Sequence, residues 1–127
     1  MLARIILPAL LLALSVCSWG QNSAVAQYNK GINYYNKKDY SNAIACFKKA
    51  AEMGYPQAVA LVGRSYYWSG NYSQAISWLQ KPAEQGDEDA QLTLAYAYDG
   101  LKNHSKALPW FRTRRCFCAI LLRLISL

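Results

Sequence analysis

The sequence has a single histidine and few cysteines, which limits the metal and redox chemistry that it can carry. The histidine is His104, and the cysteines are Cys17, Cys46, Cys116 and Cys118, with no paired C-x-x-C motif. Structural zinc sites use Cys and His ligands at characteristic paired spacings, so we expect no metal and no cofactor. The last two cysteines are too close in sequence to bridge comfortably, and no disulfide framework is predicted.

Acidic residues are also scarce, and this scarcity is uneven along the chain. The 127 residues contain 14 Lys or Arg against seven Asp or Glu, a net charge of +7. Residues 27–111 have a balance of only +2, whereas residues 112–127 contain four arginines and no acid. A folded array that binds nucleic acid would carry a basic stripe, but here the lysines are interspersed with Asp and Glu. We therefore expect no nucleic-acid partner.

Residues 1–26 have the composition of an export signal. Arg4 precedes an apolar run over Ile5–Val16, and Ala24–Ala26 form an A-x-A ending. This order is typical of a secretory signal peptide and predicts a periplasmic or secreted bacterial protein. A membrane-spanning anchor fits less well, because a span needs about 20 apolar residues and Pro8 interrupts this run. A further alternative is a lipoprotein motif ending at Cys17, in which a lipid would tether the protein to a membrane.

Residues 27–111 contain three copies of one pattern at a constant spacing of 32 residues. The aligned positions include Ala43, Ala75 and Ala107, the tyrosines Tyr34, Tyr66 and Tyr98, and the small residues Gly31, Gly63 and Ala95. A period between 20 and 50 residues is typical of stacked supersecondary units that bury their apolar faces against one another. The sequence therefore predicts a repeat array with a long surface, which is an interaction scaffold.

Each copy has the pattern of a helical hairpin. In the second copy, Ala58, Val62 and Tyr66 fall on one helical stripe, and a second stripe runs from Ala75 to Ala83. The turn between them offers two candidate caps for the second helix, and these pairs are Asp39 and Ser41, Asn71 and Ser73, and Asn103 and Ser105. The predicted fold is an all-α solenoid of about three antiparallel helical hairpins after an N-terminal signal peptide.

The small residues of the repeat mark a close approach of the two helices in a hairpin. A larger side chain at Gly31, Gly63 or Ala95 would force the hairpin apart. The repeated tyrosines follow three residues later, and we expect their rings to pack in the core with the hydroxyl at its edge.

Together these positions resemble tetratricopeptide repeats of the Sel-one-like subfamily, over roughly residues 26–111. The second copy reads Ala58-x-x-x-Val62-Gly63-x-x-Tyr66, then Ala75-x-x-Trp78-x-x-Lys81-Pro82-Ala83-Glu84-x-Gly86. Its interhelical turn is shorter than in Sel-one-like units and is similar to that of ordinary tetratricopeptide repeats. The resemblance implies a solenoid that binds peptides or proteins in a concave groove lined by the first helices.

The resemblance also implies which residues line that groove. They are Tyr28, Ile32, Tyr35 and Asn36 in the first copy, Arg64, Tyr67 and Trp68 in the second, and Leu92, Tyr96 and Asp99 in the third. Such an aromatic surface with one cation suits an extended peptide or an amphipathic helix. The alternative is that these rings are packing, with Tyr35 and Tyr67 covering the next hairpin.

The chain departs from the repeat pattern in the last two copies. Pro82 stands where the first copy has Ala50, and we expect it to kink its helix, while Pro109 interrupts the third copy. After Phe111 the pattern is lost, and residues 112–127 form an atypical basic and apolar tail. Three interpretations are open: the disrupted end of a longer repeat protein, a helix that caps the last hairpin, or a membrane attachment.

Catalysis is the contrasting hypothesis. Cys46 and His104 offer a nucleophile and a base, but both stand at repeat positions that carry aromatic residues in other copies, so we expect both to pack. The acidic run 87–89 is more typical of a solvated turn that begins a helix than of a cation site. We therefore expect a non-enzymatic, exported scaffold that binds a protein or peptide. Membrane contact is expected only if Cys17 is lipidated or the tail inserts, and a fragment without independent function is the other alternative.

Overall fold

The computed structural model describes residues 22–112 and residue 125, and all regular structure in these residues is helical. Six helices follow in order: α1 over 22–36, α2 over Tyr40–Glu52, α3 over Gln57–Trp68, α4 over Tyr72–Glu84, α5 over Glu88–Gly100 and α6 over His104–Phe111. Read in pairs, they are consistent with the predicted solenoid of three hairpins. Most of the predicted signal peptide, with Cys17, and nearly all of the C-terminal tail lie outside the described residues.

The second helix of every hairpin is capped by the Asp or Asn of the turn and not by its Ser. The side chains of Asp39, Asn71 and Asn103 accept from the backbone N–H three residues later, at 3.3, 3.4 and 3.3 Å. Asp87 caps α5 in the same way at 3.0 Å. The acidic run 87–89 therefore begins a helix, as expected, where negative charge is favourable.

Each hairpin turn places one residue in the left-handed region of the backbone, at equivalent positions of the repeat. These residues are Lys38 with φ 62°, Gly70 with φ 83° and Lys102 with φ 59°. The left-handed conformation costs an L-residue about 1–2 kcal/mol, a cost that glycine avoids. Two of the three turns therefore carry strain that the second turn lacks.

The variant Lys38→Gly is expected to raise the free energy of unfolding by about 1 kcal/mol, because relief of this strain exceeds the entropy that glycine loses on folding. Urea denaturation followed by circular dichroism measures the change. Lys37→Gly is the matched control, since Lys37 lies in the same turn without a positive φ. An equal change in the free energy of unfolding in both variants, or a less stable Lys38→Gly protein, would contradict backbone strain at Lys38.

Two clusters of buried side chains hold the hairpins together. The first contains Ala43, Phe47, Ala50, Ala58 and Val62, and the second contains Ala75, Leu79, Ala83, Ala90, Leu94 and Ala97. The expected close approach of the two helices is confirmed in the first and second hairpins. A β-carbon on Gly31 would lie 2.6 Å from the Phe47 ring, and one on Gly63 would lie 2.7 Å from Leu79 Cδ2.

The repeated tyrosines occupy the edge of the core, as expected. Tyr34, Tyr66 and Tyr98 are half-buried and pack against the two clusters. The Tyr66 hydroxyl accepts a hydrogen bond of 2.7 Å from Lys48 Nζ, which also lies 5.5 Å from the centroid of the Trp78 ring. Lys48 therefore joins the first hairpin to the second through a hydrogen bond and a cation–π contact.

The prolines do not end their helices. α4 continues through the buried Pro82 to Glu84, and Pro109 lies inside α6. α6 has eight residues where α2 and α4 have 13, so the second helix of the third hairpin is shorter than its counterparts. No helix within residues 22–112 combines the length and apolar character needed to cross a membrane.

Candidate functional site

The ten predicted groove residues lie on the first helix of each hairpin, and we call them the groove face. Four are on α1, three on α3 and three on α5. Of these helices, α3 and α5 contact each other directly.

Tyr35 connects the first hairpin to the second. Its half-buried ring lies 5.6 Å from the Tyr40 ring and 6.5 Å from the Phe47 ring. Burial raises the pKa of the Tyr35 hydroxyl, while the positive charge of Arg64 and hydrogen bonds from Trp68 and Arg64 oppose that rise. The Tyr35 hydroxyl of the first hairpin therefore lies close to the Arg64 and Trp68 side chains of α3.

Tyr67 occupies the equivalent position in the second hairpin and faces the third. Its ring lies 5.2 Å from the Trp68 ring and 5.6 Å from the Tyr72 ring. Burial raises the pKa of Tyr67, and the neighbouring Tyr72, Tyr96 and Asp99 raise it further. Tyr67 also packs against the core cluster formed by α4 and α5, so its side chain lies at the junction between the second and third hairpins.

The groove face divides into packed and exposed residues. Tyr28, Ile32, Tyr35 and Tyr67 are half-buried and pack against the two core clusters, so these side chains do cover the hairpins, as the packing alternative expects. Asn36, Trp68, Tyr96 and Asp99 are exposed, while Arg64 and Leu92 are half-buried. Trp68 is 56% exposed and Tyr96 41%, which leaves two large rings open to a partner.

Asp99 is contacted by His104, for which a packing role was expected. His104 Nδ1 lies 2.8 Å from Asp99 Oδ1, and both side chains are more than half exposed. The predicted packing role of His104 is therefore wrong: its helix position faces solvent, and the imidazole orients a groove-face carboxylate instead. This pair could have been found from the sequence, because Asp99 and His104 are five residues apart and lie on opposite sides of the turn from α5 to α6.

Cys46 is buried in α2 as a free thiol, which confirms its packing role. Within residues 22–112, His, Cys, Asp and Glu side chains form no group of three or more that could hold a metal ion.

A family model described as Tetratricopeptide repeat matches residues 24–53, which include most of α1 and all of α2. No match was found among curated proteins. Repeats of this type generally mediate protein–protein interactions and are typically found in non-enzymatic scaffolds. The match and the six-helix architecture together support a tetratricopeptide-type repeat protein.

Proposed function

We propose that this protein binds a peptide segment of a partner protein along the groove face, by non-covalent contacts and without chemistry. The observation that carries the proposal is the exposure of Trp68 and Tyr96 beside the packed Tyr67. Large exposed rings on a rigid base are the commonest energetic anchors of interfaces, since they supply area at low entropic cost.

The groove face carries one cation, Arg64, and one anion, Asp99. Arg64 lies beside the Tyr35 hydroxyl, and Asp99 Oδ1 lies 2.8 Å from His104 Nδ1. A cation on α3 and an anion on α5 fix the direction in which a peptide lies, because they prefer opposite charges or the carbonyl and N–H groups of a main chain. An extended segment or one turn of an amphipathic helix fits this arrangement.

Peptides selected on the full chain from a phage-displayed random library test the proposal. Trp68→Ala and Tyr96→Ala are each expected to weaken binding of a selected peptide by about tenfold or more. Leu108→Ala is the control, because Leu108 is 53% exposed but lies on the second helix of its hairpin. Equal losses in all three variants, or none in the first two, would overturn the groove as the binding surface.

We further propose that this binding takes place outside the cytoplasm, in a protein that resembles the Sel-one-like subfamily. α1 begins by residue 22 and includes Ala24, which is 2% exposed. Cleavage after Ala26 would therefore remove a buried residue from the first hairpin. This observation counts against cleavage after Ala26, whereas a mature chain that begins with a lipidated Cys17, like an uncleaved chain, keeps residues 22–36 of α1.

The intact mass of the protein from fractionated cells distinguishes these forms. A lipid-modified species beginning at Cys17 in the membrane fraction supports a tethered adaptor. A species beginning at Gln27 in the exported fraction supports the soluble scaffold, and an uncleaved chain in the cytoplasm overturns export.

A further inference from the structure

A cavity of about 380 Å³ lies between the start of α3 and the end of α4. Its apolar lining comes from Pro56, Val59, Ala60 and Pro82, and the polar side chains of Gln57, Lys81, Gln85 and Asp87 complete it. This volume is near the lower end of the range for ligand pockets, about 300–1,000 Å³. It is suited to one side chain of a partner more than to a large ligand.

The internal repeat explains why this cavity exists. The residues that occupy the positions of Ala60 and Asp87 in the first hairpin, 32 residues earlier, are Tyr28 and Tyr55. There the two rings lie 4.8 Å apart at an angle of 58°, and Tyr28 also lies 5.8 Å from the Phe47 ring. The second hairpin has a methyl group and a short carboxylate in place of two rings.

Asp87 is not available to refill this space, because its carboxylate accepts from the Ala90 backbone N–H as the cap of α5. The space that the first hairpin fills with its own aromatic side chains is therefore open in the second.

We propose that this cavity receives an aromatic side chain of the bound peptide, and that a tyrosine suits it best. The apolar lining would cover the ring, as the first hairpin covers Tyr28, while Lys81 and Gln85 offer partners for the phenolic hydroxyl. The inference rests on the proposed function: Ala60 occupies the repeat position of the groove-face residues Tyr28 and Leu92, so the cavity adjoins that face.

The probe that tests the cavity directly is p-cresol, which has the ring and hydroxyl of a tyrosine side chain. Titration into the ¹⁵N-labelled full chain is expected to shift the amide signals of residues 57–60, 81 and 83–87 saturably. A dissociation constant on the order of 1 mM is expected for so small a probe. An absence of saturable shifts at these amides would overturn the inference.

Variants at Ala60 refill the cavity by copying the other repeats. Ala60→Tyr copies the first repeat and Ala60→Leu the third, and each is expected to weaken p-cresol binding by about tenfold. Two different side chains are used so that a fold disturbed by one leaves the other to decide. Ala45→Tyr is the matched control, because Ala45 is exposed on α2 and its replacement leaves the cavity open. Unchanged binding in both Ala60 variants would place the probe elsewhere and overturn the inference.

The selected peptides separate failure of the cavity from failure of the groove. A peptide that needs Trp68 and Tyr96 and loses affinity both on Ala60→Tyr and on replacement of its own aromatic residue by alanine supports the inference. A peptide that needs Trp68 and Tyr96 but is indifferent to these two changes overturns it and leaves the proposed function standing. If p-cresol binds at the cavity but no peptide depends on Trp68 or Tyr96, the ring site is supported and the proposed function fails.

Discussion

Replacing Phe47 by alanine is expected to lower the free energy of unfolding by about 3–5 kcal/mol. Among residues 22–112, Phe47 is the largest fully buried side chain, and its ring contacts Tyr28 and Tyr35 and packs against Gly31. The loss of the ring would leave a cavity bounded by α1 on one side. A domain of this size has a total stability of about 5–15 kcal/mol, so this single change would remove a large part of it.

Phe47→Leu is the matched control, because the second hairpin uses Leu79 at the equivalent core position. A hydrophobic exchange of this kind is expected to cost about 1.5 kcal/mol or less. Urea denaturation gives both values, and hydrogen exchange shows whether α1 and α2 lose protection before α5. Equal stability of the alanine and leucine variants would mean that the ring does not support the first hairpin.

The variant Gly63→Ala is expected to destabilise the protein by about 1–3 kcal/mol. Helix propensity alone favours alanine over glycine by about 1 kcal/mol, so the sign of the effect depends on packing. The new β-carbon would lie 2.7 Å from Leu79 Cδ2 and 3.3 Å from the Leu79 backbone nitrogen. Because Leu79 is fully buried and a backbone atom is involved, the clash is expected to exceed the propensity gain.

A double-mutant cycle with Leu79→Ala separates the two contributions. Leu79→Ala alone is expected to cost about 2–5 kcal/mol. In that background the Gly63→Ala change no longer meets the leucine side chain, so it is expected to be neutral or stabilising. A Gly63→Ala protein that is more stable than the wild type would show that α3 moves away from α4 without cost.

The hairpins could be predicted from sequence because their determinants repeat. Three copies of a small residue followed by a tyrosine fix the face on which two helices meet, and the structure has that contact at Gly31 and Gly63. The choice of cap could not be made in the same way. Asp39 and Ser41 both carry a side-chain oxygen able to accept from a helix N–H, and only the backbone geometry of the turn selects the first.

The groove face was harder to predict, because a repeat position does not have one degree of burial. Tyr35 and Tyr67 hold equivalent positions and both pack inward, whereas Asp99, at the same position in the third copy, is exposed and paired with His104. The cavity arises from a difference between copies at Ala60 and Asp87, and a comparison of the copies position by position would have shown that difference.

The most extensive contacts among α2 to α6 join helices that are consecutive in the chain, with a smaller contact between α3 and α5. Contacting residues are therefore close in sequence, and chains of this kind fold on the microsecond to millisecond timescale because little loop entropy is lost before contacts form. Each hairpin can also begin to fold as soon as its own residues have left the ribosome. If the chain is exported, the translocation machinery has to engage it before that happens or unfold a hairpin afterwards.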